Sequence, residues 1–290
     1  VLCGSATTLA QPQRPNVLLL VADRLHYESC GYAGDEQAIT PNIDRLAATG
    51  ISFDNYVVNT PLTAALQATL WTGKYASTHG LVVDGLRLNP NHDALGHLLT
   101  AKGYTCDFIG RWDLWGAGGG NDKLANEAFC PPGAWRFGFD GFWAAHDVRP
   151  GNDNVYYFQD HAKQHRIEGW APAHFTDLAI QRVSLHAQTR QPFAMVVAYN
   201  AAPAPWTAND VPQPWYNRFQ NEAAANSAVG RDLSGSNQSL QIAHAMTAAV
   251  DEQIGRLLNA IDEQQLAKNT IVLFTSAPGA QFHTDTQTAG

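Results

Sequence analysis

Apolar residues follow two rhythms along this chain. Residues 16–22 carry Val17-Leu18-Leu19-Leu20-Val21-Ala22 without a polar break and end on Asp23. Such a run predicts a strand covered on both faces, as in a parallel sheet. Residues 193–199 repeat it, and 51–58, 104–110 and 270–275 predict further strands. Between the strands the spacing is helical. Thr40-Pro41-Asn42-Ile43-Asp44-Arg45-Leu46-Ala47-Ala48, closed by Gly50, predicts a helix with Thr40 as N-cap and Pro41 in its first turn. Residues 64–71 predict a short helix with Thr63 as N-cap. Residues 93–102 predict one stopped by Gly103, and 174–188 another. In residues 238–265, Leu240, Ala243, Met246, Val250, Ile254, Leu257, Leu258 and Ile261 form one apolar helical face. The stretch from Gly116 to Gly141 reads as loop. Residues 206–237, polar and rich in Pro, Asn and Ser, read as a long surface excursion.

Strands alternating with helices predict an α/β fold, a three-layer sandwich around a mostly parallel sheet. In such folds the ligand crevice lies beyond the carboxyl ends of the strands. Asp23, Gly110-Arg111, Asn200 and Ser276 fall there on topology alone.

The 290 residues are 45% apolar and 15% charged, an ordinary balance for a chain with a sizeable core. A net charge of −8 gives no attraction to a phosphate backbone and excludes nucleic acid as a partner. No apolar run reaches the roughly 18 residues of a membrane span. Residues 1–13 read equally as the end of a signal peptide, with Thr8-x-Ala10 as cleavage site, or as a disordered tail. The first reading places the protein outside the cytoplasm, secreted or periplasmic. Cys30, Cys106 and Cys130 lie far apart in neither a disulfide nor a zinc pattern, and read as buried thiols.

The segment that carries chemistry is Thr63-Ala64-Ala65-Leu66-Gln67-Ala68-Thr69-Leu70-Trp71-Thr72-Gly73-Lys74-Tyr75, followed by His79-Gly80. It resembles the nucleophile segment of sulfatases of the alkaline-phosphatase superfamily, Cys-x-Pro-Ser-Arg followed by a short helix and Thr-Gly-Arg/Lys-Tyr. Residues 16–34, 40–80, 110–116, 192–206 and 249–279 resemble that family in order, with Asp251-Glu252-x-Ile254-Gly255-Arg256 a specific match. The resemblance implies an alkaline-phosphatase-like domain over residues 14–290, ending at Gly290 before the family's smaller C-terminal subdomain.

The same resemblance implies formylglycine as nucleophile, a Ca²⁺ held by oxygen ligands, and basic side chains on the sulfate. This chain departs at each place. Thr63 stands for the reactive Cys, Ala65 for the Pro and Gln67 for the Arg. The first metal pair, Asp-Asp, reads Asp23-Arg24, or Ala22-Asp23 in the adjacent register. The later metal pair reads Ala277-Pro278. The Lys and His of Gly-Lys-Trp-His become Arg111 and Asp113, and the His of a Pro-His-x-Pro-Trp loop becomes Pro203. The expectation is a sulfatase-family protein that is catalytically impaired, with no Ca²⁺ or other cofactor and with ion pairs of Asp23 with Arg24 and Asp113 with Arg111. The alternatives are an active sulfuric ester hydrolase and a Thr-dependent phosphoesterase.

The expected partner is a sulfated or carbohydrate small molecule. Trp112, Trp115, Trp135, Trp143 and Trp170 read as a sugar-binding cleft or as core. His161 and His165, four apart, read as solvated residues of one helix face. His79 reads as structural, His244 as lying on the polar side of its helix, and Asp251-Glu252 as surface.

Overall fold

A computed structural model of the chain describes residues 14–23, 25, 27–83, 85–116, 128–147, 155–199, 208–228 and 237–277. Residues 1–13, Arg24, the Pro203 loop and Pro278 lie outside them.

The elements are β1 (Asn16–Asp23), α1 (Pro41–Thr49), α2 (Thr63–Thr72), α3 (Ala76–His79), α4 (Leu95–Ala101), β2 (Thr105–Arg111), β3 (Trp143–His146), β4 (Tyr156–Tyr157), β5 (His165–Arg166), α5 (Ala171–Thr189), β6 (Phe193–Tyr199), α6 (Gln213–Ala228), α7 (Asn237–Glu263) and β7 (Thr270–Ala277). Five strands form one sheet in the order β3-β2-β6-β1-β7, and every pairing in it is parallel. The sandwich is as the alternation predicts. β1 and β6 lie in the middle, which is why their apolar runs are unbroken.

The two faces of the sheet carry separate cores. Leu18, Leu20, Ile109, Met195 and Val197 pack against Phe175, Ala179 and Val183 of α5 and Val250, Ile254, Leu257 and Ile261 of α7. Leu19, Val21, Phe108, Ala194 and Val196 pack against Ala64, Leu66, Ala68 and Trp71 of α2 and against Trp112, Phe137, Phe139 and Trp143. At Gly110, with φ +111, a Cβ would run into the Ala198 backbone. Only glycine lets β2 lie this close to β6 at the turn into Arg111.

Several expectations need correction. Residues 51–58 form no strand: Ile51 is 81% and Val57 83% exposed. The excursion at 206–237 contains α6, whose Trp215, Tyr216 and Phe219 pack with Val211, Ile242 and Met246. β3 begins just beyond the stretch read as loop, where the sequence predicts no strand. Thr63 is the first residue of α2, not its N-cap, which is Leu62. Thr40 does hold the N-cap position of α1, but its hydroxyl is turned away from the helix amides. It accepts from Gly31 N–H and donates to Asp44 Oδ1, each at 2.9 Å. His165 lies in a strand and stacks on Tyr157, so it shares no helix face with His161.

Asp251 is buried rather than on the surface. Its carboxylate accepts from the backbone N–H groups of Asn42 and Ile43, at 3.1 and 2.8 Å, and from Asn42 Nδ2 at 2.8 Å. It thereby serves the amino end of α1 from α7. Burial pushes its carboxyl above the usual range, with these hydrogen bonds opposing. His244 is buried too, with Nε2 2.6 Å from Asp35 Oδ2 and its ring stacked on Phe219. Cys30, Cys106 and Cys130 are buried free thiols. Among the described residues no helix is long and apolar enough to cross a membrane.

Candidate functional site

The carboxyl ends of β1, β2 and β3 deliver Asp23, Arg111 and His146 to one edge of the sheet, and α2, which opens on Thr63, brings Gln67 to Arg111 and Asp113. Arg111 is buried at the centre of this group. Its Nη1 pairs with Asp23 Oδ2, and its Nε lies 2.6 Å from Asp113 Oδ2. Gln67 Nε2 donates to Arg111 O at 3.3 Å and to Asp113 Oδ2 at 3.4 Å. Asp113 takes φ 58, a left-handed conformation that Asp tolerates better than most residues. That backbone places its carboxylate against the guanidinium. Burial alone would ease the proton off Arg111. The carboxylates of Asp113 and Asp23 outweigh it and hold the guanidinium charged, well above its ordinary value. Asp147, buried one residue beyond β3, adds to the same field and accepts from Trp115 N–H at 3.2 Å.

Of the residues singled out from the sequence, Asp23, Gln67, Arg111 and Asp113 come together. The Asp113–Arg111 pair is as expected. Asp23 pairs with Arg111, and the expected pair of Asp23 with Arg24 lies outside the described residues. His146 and Asp147 were missed, because nothing in the sequence marked β3 as a strand ending at this edge. Thr63 is buried at the start of α2, and no described side chain hydrogen-bonds to its hydroxyl. Ala277 ends β7 and has no oxygen in its side chain.

These residues fit Ca²⁺ poorly. The ion takes six to eight oxygens at about 2.3–2.6 Å. Here one Asp23 oxygen is engaged by a fixed guanidinium, and so is one of Asp113. A divalent ion about 4 Å from that guanidinium would meet roughly 8 kcal/mol of repulsion at an effective dielectric near 20. Among the described residues no three His, Cys, Asp or Glu side chains cluster as a metal-binding group.

The tryptophans divide. Trp112 and Trp143 are buried, their rings 5.0 Å apart at 75°. Trp115 and Trp135 are half-buried, and Arg87 lies 3.5 Å over the Trp115 ring. His79 is structural as expected. Its Nδ1 accepts from Leu81 N–H at 3.1 Å, which leaves Nε2 to donate to Thr69 Oγ1 at 3.2 Å. Burial, and next the nearby His92, lower the His79 pKa from the ordinary 6.5. The folded state thus binds that proton more weakly than the unfolded chain. Stability is complete above pH 6.5 and falls as pH drops from there toward the folded value. The melting temperature is expected to be lower at about pH 5.5 than at about pH 7.5, with a smaller difference in His79→Asn. An unchanged difference in that variant would contradict this role.

The family profile described as Sulfatase matches residues 15–286, and the chain belongs to the sulfatase family. It is 30% identical over 275 residues to an ulvan-active sulfatase of Formosa agariphila, covering 93% of this chain and 51% of that protein. The chain therefore spans about half the length of that curated relative. A solved structure from multiple-glycosaminoglycan metabolism in Bacteroides thetaiotaomicron superposes with a TM-score of 0.81 at 21% identity, over 94% of this chain and 63% of the other. Another, bound to its substrate D-glucosamine-2-N,6-O-disulfate, superposes at 0.66 and 22%, over 93% and 66%. Both share the fold.

Proposed function

We propose that this sulfatase-family chain binds a carbohydrate at the carboxyl edge of its sheet without hydrolysing sulfate esters. The observation that carries the reading is the buried ion pairing of Arg111 with Asp23 and Asp113. Ester hydrolysis in this family needs an activated nucleophile and a cation to neutralise the sulfate. The guanidinium takes up carboxylate charge that a cation would need. Thr63 is an unactivated hydroxyl, a poor nucleophile. The carbohydrate part rests on relatives, one named for ulvan and one bound to a glucosamine disulfate. It rests also on Gln67, whose buried Oε1 has no hydrogen-bond partner among the described residues. That oxygen suits a sugar hydroxyl, where a sulfate would meet the surrounding carboxylates.

Aryl-sulfate and aryl-phosphate assays test the reading. No turnover above background is expected. The doubly back-substituted variant, Thr63→Cys with Gln67→Arg, is expected to stay inactive when co-expressed with the maturing enzyme, since Arg111 still holds both carboxylates. Turnover by the wild-type chain would overturn the proposal and favour an active sulfatase or, on the phosphate ester alone, a Thr-dependent phosphoesterase. Recovery in the double variant would show that nucleophile loss alone silenced the site.

A further inference from the structure

The opposite end of the sheet holds a cavity of about 640 Å³. Its lining includes Asn16, which opens β1, Phe193, which opens β6, and Asn269, which precedes β7. This places it at the amino ends of the strands, away from Arg111. We infer that it is a binding site for a small ligand carrying a sulfate or phosphate group, held by Arg14, Arg190 and His186.

Among the described residues the lining contains these basic residues and no acidic one, in a protein of net charge −8. The local sign is therefore the reverse of the global one, and arginine forks match tetrahedral oxyanions. Arg14 and Arg190 come from different parts of the chain. Arg14 is anchored through Nη1 to Lys102 O. Arg190 stands at the C-terminal cap of α5 with φ 55. Glycine is the favoured residue in that left-handed position, and an arginine there is strained. A cation at a helix carboxyl end is favourable by itself, which accounts for one basic residue but not for Arg14 on the facing segment. His186 is buried, its Nε2 2.7 Å from Asp107 Oδ2. Asp107 lies outside the lining, and its charge is met by Arg182. It is fully buried and also accepts from Phe142 N–H at 2.8 Å and Arg182 Nε at 3.0 Å. The volume suits a ligand of one or two sugar rings or similar size. The inference is independent of the reading of the Arg111 site.

Calorimetric titration of the whole chain at fixed ionic strength tests it. The probes are sodium sulfate, sodium phosphate, a sulfated disaccharide and its unsulfated parent. Saturable binding of at least one anionic probe is expected, and any binding of the parent, at the carboxyl edge, is expected to be unaffected by substitution of Arg14 or Arg190. Arg190→Gly is expected to weaken binding about tenfold or more while melting no lower than wild type, because glycine relieves the strained cap. Arg14→Gln is expected to weaken it similarly, and Lys163→Gln, an exposed charge outside both sites, to leave it unchanged. Equal affinity for sulfate and the disaccharide would identify the free ion as ligand. A disaccharide about tenfold tighter would identify an esterified group. No saturable binding, or wild-type affinity in both arginine variants, would overturn the inference.

Discussion

Replacing Arg111 by methionine is expected to lower the unfolding free energy by about 3–5 kcal/mol, the range for removing one partner of a buried ion pair. Methionine retains much of the length and apolar bulk of the arginine stem, so packing changes little. What remains is two carboxylates, Asp23 and Asp113, that have both lost the guanidinium they shared. A buried charge that loses its main counter-charge is costly, and the chain responds by protonating or by unfolding. The loss is therefore expected to be larger at about pH 8 than at about pH 5, because protonation relieves the uncompensated charge. Denaturant unfolding at the two pH values checks both claims. A loss under about 1 kcal/mol, the range of exposed pairs, would mean that water already screens this site.

The second large effect is expected at Asp251→Ala, about 2–4 kcal/mol. The carboxylate satisfies backbone donors of Asn42 and Ile43 that have no partner inside α1, and it joins α1 to α7. Removing it leaves buried donors unsatisfied, each at about 1–3 kcal/mol, and strips the helix of its cap. Asp251→Asn keeps an acceptor oxygen and is expected to lose less. Thermal and urea unfolding of the two variants would decide. Equal losses would show that the charge, not hydrogen-bond acceptance, is what α1 needs.

These two sites differ in how far the sequence disclosed them. β1 and β6 were legible because central parallel strands are apolar on both faces, and that leaves a continuous run. The position of Arg111 followed from the strand ends and from Gly110 before it. Asp251 was not legible, because its partners are Asn42 and Ile43, separated from it by more than 200 residues. A surface carboxylate and a buried cap have the same local pattern. His244 was misread for the same reason, since Asp35 lies far away in the chain. Residues 51–58 show strand-like composition, yet β propensity expresses packing against neighbours, and here the side chains face solvent. α6 hid behind its polar residues. Its few apolar anchors, Trp215, Tyr216 and Phe219, acquire meaning only against Ile242 and Met246 of α7.

In the proposed reading Arg111 takes the carboxylate charge that a calcium ion would otherwise neutralise. Elemental analysis of the purified chain, equilibrated with excess Ca²⁺ and then freed of loosely held ions, tests this most directly. Calcium well below one ion per chain is expected, with no difference between wild type and Asp23→Asn. One ion per chain in the wild type, lost in Asp23→Asn, would contradict it.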